Sequence, residues 1–440
     1  MAEQMKPSGI DWIGDIPESW KVTRLQTLFD QVKDKNSGTK EKNLLSLSYG
    51  KIVKKDIEGA FGLIPESFDT YNIIKKNDIV LRLTDMQNDQ VSLRTGLVKE
   101  EKGIITSAYV TIRLRFGSPS YYHWYLYAFD TSKQIYAFGQ GVRQSLTFEE
   151  LKKMLILLPS PKEQQAIADF LDEECAQIDS IATDLEKQIA LLQQYKKSLI
   201  TETVTKGLDK SVPMKDSGVE WIGEIPVGWE LSRIKYLTDN HHPYPIGDGD
   251  HGMIKADDYL TEGIPYIRVL NLTWGSGLNL ENLVFISKEM NSLIKNSELK
   301  PNDILIAKTG ATIGKTAIVP DSLPVSNTTS HVGKITLANV HDAKYFYYVM
   351  TSSIVQKQIQ DISAMQSTRP ELGIEGLKNL ILTVPPFDIQ QHIARFLDDH
   401  CAKIDRVLHE KGKQLSVIKQ HKKSLIYEYV TGKKRVKEVQ

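Results

Sequence analysis

The sequence has only two cysteines, no surplus of either charge and no long hydrophobic run. Two thiols cannot staple a secreted scaffold, and neither CxxC nor Cys/His zinc spacing occurs. With 55 Lys and Arg against 55 Asp and Glu, no overall field draws the chain toward nucleic acid or membrane. Any basic surface must therefore be local. No stretch approaches the roughly 18 apolar residues of a membrane span, and the opening MAEQMKPSGIDW lacks a signal-peptide core. These absences predict a soluble, cytoplasmic protein. The 440 residues, 41% of them hydrophobic, suffice for two or three globular domains.

What is present is a duplication. MKPSGIDWIGDIPESWKVTRLQTLFD, from Met5, returns as MKDSGVEWIGEIPVGWELSRIKYLTD, from Met214. Trp12, Pro17 and Trp20 match Trp221, Pro226 and Trp229. A second pair is longer: LPSPKEQQAIADFLDEECAQIDS, from Leu158, matches VPPFDIQQHIARFLDDHCAKIDR, from Val384. It continues without a gap through KKSLI (196–200 and 422–426) to Val204 and Val430. A period of more than 200 residues is too long for a solenoid or propeller unit and indicates a duplicated half-protein. Between the repeats the middles share little beyond KKNDIVL (75–81) with KPNDILI (300–306), and Arg143 with Arg369. A constant frame around differing contents suggests one scaffold job done twice and one recognition job done differently.

The closing segments read as long helices. Ser160-Pro161-Lys162-Glu163 supplies a cap, a proline at the first helical position and a glutamate three residues after the cap. Roughly 45 uninterrupted residues would extend about 65 Å. The apolar stripe is heptad-like through Ile178, Ile181, Leu185, Gln188 with Ile189, Leu192, Tyr195 and Leu199. The second copy runs through Ile404, Val407, Lys411, Gln414 with Leu415, Ile418, His421 and Leu425. Such stripes should pack on one another. Antiparallel pairing closes the duplicated chain into a pseudo-two-fold circle, with Gln188 and Gln414 as buried amides setting register. Cys175 and Cys401, about 30 Å apart in that arrangement, read as small buried residues rather than a bridge.

Several motifs resemble catalytic signatures and fail inspection. Gly310-Ala311-Thr312-Ile313-Gly314-Lys315-Thr316 has three residues between its glycines where a phosphate loop needs four. A turn whose Lys315 or Thr309 meets a DNA phosphate is the better reading. Val384-Pro385-Pro386-Phe387 lacks the leading Asn or Asp with which amino-methyltransferases hold a flipped base, and no methyl-donor signature accompanies it. His241-His242 and Asp248-Asp250-His251 lack the spacing of a metal site and read as a solvated loop. No nucleophile, base and oxyanion donor assemble. The residues by themselves describe a binding scaffold.

The paired openings, the P-x-x-x-QQ-x-I-A-x-FLD helices and the KKSLI endings resemble the specificity (S) subunit of type I restriction-modification systems. The strongly matching segments cover about 150 residues and the duplicated order covers the whole chain. RLTDMQNDQVSLRTGLV (82–98) and GATIGKTAIVP (310–320) also look like stretches of that family's target-recognition domains. The resemblance implies an α+β fold of two globular target-recognition domains joined by two long antiparallel coiled-coil helices. The expected boundaries are 1–158 and 208–384 for recognition, 159–207 and 385–432 for spacer helices, and 433–440 for a basic tail. It further implies double-stranded DNA as ligand, each domain reading one half of a split, asymmetric target. Two methyltransferase (M) subunits and restriction/translocase (R) subunits would be the partners. S-adenosylmethionine, ATP and Mg would lie in those partners, with no cofactor and no catalysis in this chain. A solitary DNA-binding adaptor without restriction activity is the alternative. A fused methyltransferase would need the missing signatures, and a pure coiled-coil protein would not need divergent middles.

Direct readout favours Arg or Lys for guanine and Asn or Gln for adenine. The candidates in the first middle are Arg82, Gln87, Asn88, Gln90 and Arg94, then Gln140, Arg143 and Gln144. Those in the second are Arg268, Asn271, Lys308, Thr309, Lys315, Asn327, Gln366 and Arg369. The tail Lys433-Lys434-Arg435-Val436-Lys437 reads as a solvated end, and the four repeated tryptophans as core or M-contacting anchors. Arg143→Ala is expected to weaken binding at one half-site only. Equal weakening of both halves in gel shifts with half-site swaps would refute that.

Overall fold

The computed structural model describes residues 4–55, 67–84, 93–137, 145–275, 277–364 and 370–436. The chain forms two compact α+β units that do not follow its linear order. One comprises Met1–Glu186 with Gly412–Gln440, the other Lys187–Lys411.

In unit one the strands that position the loops are β1 (Lys21–Arg24), β2 (Phe29–Gln31), β3 (Leu45–Ser48), β4 (Lys51–Lys54), β5 (Ile79–Leu81), β6 (Thr95–Leu97), β7 (Val110–Leu114) and β8 (Leu155–Leu158). An antiparallel sheet runs β2–β7–β5–β6, with all of β5 buried. Separately, β1 pairs with β8, placing Lys21 opposite Leu158. Helix α1 (Pro119–Thr131) starts on a Ser118 cap with proline at its first position. It sinks Tyr121, Tyr122, Tyr125 and Phe129 into a core shared with Trp20. Full burial of a side chain of this size contributes about 2 kcal/mol.

Unit two repeats the plan with β9 (Glu230–Arg233), β10 (Ile246–Asp248), β11 (Ile304–Ala307), β12 (Thr316–Ile318), β13 (Val332–Ile335) and β14 (Ile381–Val384). Its sheet runs β10–β13–β11–β12, the same first–fourth–second–third order along the chain. Glu230 faces Val384 in the β9–β14 pair, mirroring Lys21 and Leu158. Helices α2 (Ala343–Thr351) and α3 (Ser353–Ala364) follow. The shared KKNDIVL and KPNDILI segments are the turns that enter the central strands. Asn77 and Asn302 take left-handed φ values of 73° and 70°, and the next residues, Asp78 and Asp303, accept the Lys75 and Lys300 N–H groups. Asparagine tolerates that conformation better than most residues, which explains its repetition here.

The two long helices span Pro161–Lys206 and Phe387–Val430. In unit one the start of the first packs antiparallel to the end of the second: Lys422 Nζ lies 2.6 Å from Asp179, and Lys419 2.7 Å from Glu186. In unit two the end of the first meets the start of the second, Lys196 lying 2.7 Å from Asp405. Lys196 and Lys422 are repeat mates, as are Asp179 and Asp405, so one contact is made reciprocally. The two lysines are 15% and 14% exposed, which identifies them as seam residues.

That seam corrects the heptad phase. Ala182, Ile189 and Lys196 face inward with Ile178 and Leu185, whereas Ile181 and Tyr195 are 51% and 55% exposed. On the second helix Leu408 and Lys422 turn inward, and Val407 and His421 outward. Apolar identity favoured Ile181 and Tyr195, but a small alanine and an aspartate-paired lysine satisfy the close side. Gln188 and Gln414 are exposed, so they do not act as buried register amides. Cys175 and Cys401 are buried free thiols, raised chiefly by burial to about 12 and about 11.

The frame motifs now have reasons. Gln164 accepts the Ser118 N–H and donates to the Pro159 carbonyl, and Gln390 does the same between Asp342 and Pro385. Asp172 accepts the Trp124 indole N–H at 2.7 Å, and Asp398 the Tyr348 hydroxyl at 2.8 Å. Trp20 and Trp229 are core residues, Trp12 is half-buried against Tyr125, Phe129 and Tyr427, and Trp221 is exposed. Ser160 and Glu163 form the expected capping box, and Trp20 Nε1 also donates to Glu163 at 3.1 Å. Burial alone would raise the Glu163 carboxyl; bonds from Ser160 and Trp20, with Arg435 beside it, hold it below its usual range. Arg435 thus anchors the tail, with Lys433 on the Asp15 carbonyl and Lys434 on Glu428. Lys433 and Lys434 remain exposed, as a solvated end requires, whereas Arg435 departs from that expectation, half-buried beside Glu163. Since the folded carboxyl titrates lower, its stabilisation is complete above about pH 4.3 and fades as acid protonates it. Glu163→Gln should cost about 2 kcal/mol in urea unfolding at pH 7. That deficit should shrink progressively below pH 4.

Candidate nucleic-acid interface

In each unit the loop leaving the central strand meets the segment returning toward the long helix. In unit one the Leu146 N–H donates to the Leu83 carbonyl at 2.8 Å, directly after β5. In unit two the Leu372 N–H donates to the Lys308 carbonyl at 2.8 Å, directly after β11. Leu146 and Leu372 are repeat mates, as are Leu83 and Lys308. Leu83, next to Arg82, is therefore joined to Leu146, next to Ser145, and the turn 308–316 to the segment 370–372. Thr309 bridges to Glu371, and Gly310 donates to Pro370. The same contact beyond the central strand is thus made twice, at equivalent positions and between different residues.

Gln87, Asn88, Gln90, Gln140, Arg143, Gln144, Gln366 and Arg369 lie outside the described residues. Arg82 is half-buried, its main chain bonded to Arg94. Lys315 is half-buried on the turn, and Thr309 Oγ1 sits 3.2 Å from His331 Nδ1. The Gly310–Thr312 turn leads into β12 and not into a helix, so it does not build a phosphate loop. Arg268 donates to the Asn282 carbonyl at 3.1 Å and lies over the Tyr259 ring.

Four expectations are corrected. Arg94 is fully enclosed, donating to the Thr84 carbonyl at 2.8 Å and the Tyr136 hydroxyl at 3.3 Å. Asn271 is buried and ties Arg268 N–H to the Asn279 carbonyl. Asn327 is wholly buried, bonded to Ser297, Asn291 and the Ile294 carbonyl. Lys308 is 3% exposed and paired with buried Asp248, which also has His251 at 3.2 Å. Each side chain fills hydrogen-bonding needs inside the unit, so none has an accessible edge for a base. The reading of Asp248 and Asp250 as a solvated loop is corrected with them. Asp250 is 4% exposed and accepts the Ile254 and Ser330 N–H groups. Among the described residues no three His, Cys, Asp or Glu gather as a metal set. Among the described residues no helix is long and apolar enough to cross a membrane.

Sequence reasoning missed a second surface. Ile181 and Val417 on unit one, and their repeat mates Val407 and Leu191 on unit two, are exposed apolar residues of the long helices. Val417 and Leu191 fall outside the heptad stripe, which was the available signal, whereas the heptad spacing assigns Ile181 and Val407 to the seam.

A model of the type I restriction modification DNA specificity domain matches residues 17–191 and again 246–416. The chain belongs to this family. As a specificity subunit it resembles the MjaVIII type I restriction enzyme specificity subunit of Methanocaldococcus jannaschii, at 23% identity over 431 residues (96% of this chain, 94% of that one). The EcoBI specificity subunit of Escherichia coli is 26% identical over 291 residues, 65% of this chain and 60% of that one. A chain solved in work on complex assembly and conformational transition of the type I system shares the fold. Its TM-score is 0.67 at 13% identity, covering 94% of this chain and 98% of that one. Specificity subunits are the DNA-recognition, non-catalytic components of these systems.

The specificity subunit's two candidate lysines should separate cleanly. Lys308→Ala strands a buried carboxylate and should destabilise by about 3 kcal/mol in chemical unfolding. Lys315→Ala should stay within about 0.5 kcal/mol of the parent, and should lower DNA affinity in a binding titration.

Proposed function

We propose that the chain reads a split, asymmetric double-stranded DNA target, one half-site per unit. Residues 1–158 and 208–384 act as target-recognition domains, and 159–207 and 385–432 as spacer helices. The observation that carries this reading is the equivalent placement of the Leu83–Leu146 and Lys308–Leu372 contacts, each beside a different polar run in the sequence. Unlike half-sites need unlike base contacts on the same support. From the earlier candidates the proposed contacts retain Arg82, Gln87, Asn88, Gln140, Arg143, Gln144, Arg268, Thr309, Lys315, Gln366 and Arg369.

Two methyltransferase subunits dock on the long helices, one per unit. The exposed repeat mates Ile181 with Val417, and Val407 with Leu191, support equivalent sites for two copies of one partner. These partners supply S-adenosylmethionine chemistry, and restriction/translocase subunits supply ATP- and Mg-dependent cutting, in the cytoplasm. This chain positions them without reacting.

Methylome sequencing of the host should show a bipartite motif that vanishes when the gene is deleted; a methylome that does not change overturns the reading. Native mass spectrometry of the co-expressed complex should give two methyltransferase subunits per chain. Ile181→Asp should leave one, and Ile181→Asp with Val407→Asp none.

A further inference from the structure

Unit one contains a cleft of about 840 Å³ walled by the β3–β4 hairpin, the segment around β6, α1 and both long helices. Lys51, Lys99, Lys133, Lys419, Lys422 and Lys423 line it, against three aspartates, Asp130, Asp172 and Asp179. In a chain of zero net charge, an excess of three positive charges in one concavity is a local basic surface. The carboxylates are already engaged: Asp130 by the Arg94 N–H, Asp172 by Trp124, Asp179 by Lys422. Lys422 also lies 5.7 and 5.9 Å from the Trp124 and Tyr127 ring centroids. Among the described residues Lys51, Lys99 and Lys423 have no hydrogen-bonding or ion-pair partner.

Two further features point to a ligand. His123 lines the cleft at 9% exposure, and its Nδ1 has no hydrogen-bond partner among the described residues. Burial, with Lys99 and Lys422 nearby, pushes its imidazole down to about 4, so the ring is neutral at physiological pH. At the mouth stands the hairpin tip Tyr49–Gly50, between Ser48 and Lys51 in register. Its φ values of 47° and 76° are of the primed-turn kind, which usually takes Asn or Asp before Gly. Here a tyrosine holds the strained position with its side chain 78% exposed. Gly50 presses on Leu93, where a Cβ would come within 2.9 Å, so the tip is seated.

We propose that this cleft grips the sugar–phosphate backbone of duplex DNA beside the half-site read by unit one. Lys51, Lys99 and Lys423 meet phosphates, and the Tyr49 ring lies against the strand. The inference rests on the DNA-reading function proposed above. Among the described residues the cations of the cleft are all lysines. Lysine binds phosphate as a point charge, and six lysines in a concavity whose aspartates are already engaged complement the polyanionic backbone of DNA. Contacts of this kind set register and affinity without carrying sequence.

The test uses the full chain co-expressed with its methyltransferase, and fluorescence anisotropy across a salt series. The probes are the methylome-identified target duplex and a scrambled duplex of equal length. The triple variant Lys51→Gln, Lys99→Gln, Lys423→Gln should flatten the salt slope by about one per lysine. It should weaken both duplexes by the same factor, leaving their ratio unchanged. Tyr49→Asn, which relieves the left-handed strain, should weaken both severalfold without lowering the melting temperature. A parental salt slope in the triple variant, with the parent still preferring its target, sinks the cleft and leaves the DNA reading intact. A parent without target preference sinks the reading itself. Loss of the methyltransferase at unchanged salt slope would assign the cleft to a protein and overturn the proposal.

Discussion

Each long helix ends inside a core that the other half of the sequence builds. The Tyr121 hydroxyl donates to the Val430 carbonyl at 3.0 Å, and its counterpart Tyr345 donates to Val204 at 3.3 Å. Val430 is wholly buried with Trp20, and Val204 is buried in the core that holds Trp229. Gly432 and Gly207 follow in left-handed conformations, and a Cβ on Gly432 would meet Pro17 and Trp20. The termini therefore meet in unit one, and neither sequence half is a folding unit by itself. The repeated openings and the repeated VT endings are two sides of one contact.

The same exchange explains the charged seam. A lysine on a helix-pairing face would ordinarily be excluded by desolvation. Here Lys196 and Lys422 each reach an aspartate on the other helix, and the duplication makes both contacts from one residue pair. The partly exposed carboxylates keep the net stabilisation small, but removing either one would leave a largely buried ammonium unpaired. Register is therefore carried chiefly by charge, with the exposed Gln188 accepting a hydrogen bond from Lys411 on the other helix. What the frame holds constant is the Gln164 and Gln390 clamps, the Asp172 and Asp398 bonds to aromatic side chains, and the exposed Ile181 and Val407. What it leaves free is the pair of loops after the central strands, which suits one kind of partner bound twice and two different DNA sequences.

Much of this was legible before the fold was known. A long heptad-spaced segment free of Pro and Gly indicates an extended helix, and Ser160 with Glu163 announces where the first begins. A circular order of repeats favours antiparallel pairing, which closes the chain with pseudo-two-fold symmetry. Those inferences rest on local backbone preferences and connectivity, which the chain carries along its length. Family resemblance agreed with them because the shared motifs are the frame itself.

The polar residues were another matter. Arg94, Asn271, Lys308 and Asn327 have the chemistry of base readers, and nothing adjacent in sequence distinguishes them from Lys315. Their partners are Tyr136, Asn279, Asp248 and Ser297, all but Asn279 at least 30 positions away, so only folding reveals that their donors are taken. The helix phase was decided likewise, since Ala182 and Lys196 win the seam through shape and a distant aspartate. Sequence alone determined the two long helices and the circular order of the repeats, because periodicity and connectivity are properties of the covalent chain. Tertiary structure decided which charges are available to a ligand, because burial and pairing belong to neighbours that only the fold supplies.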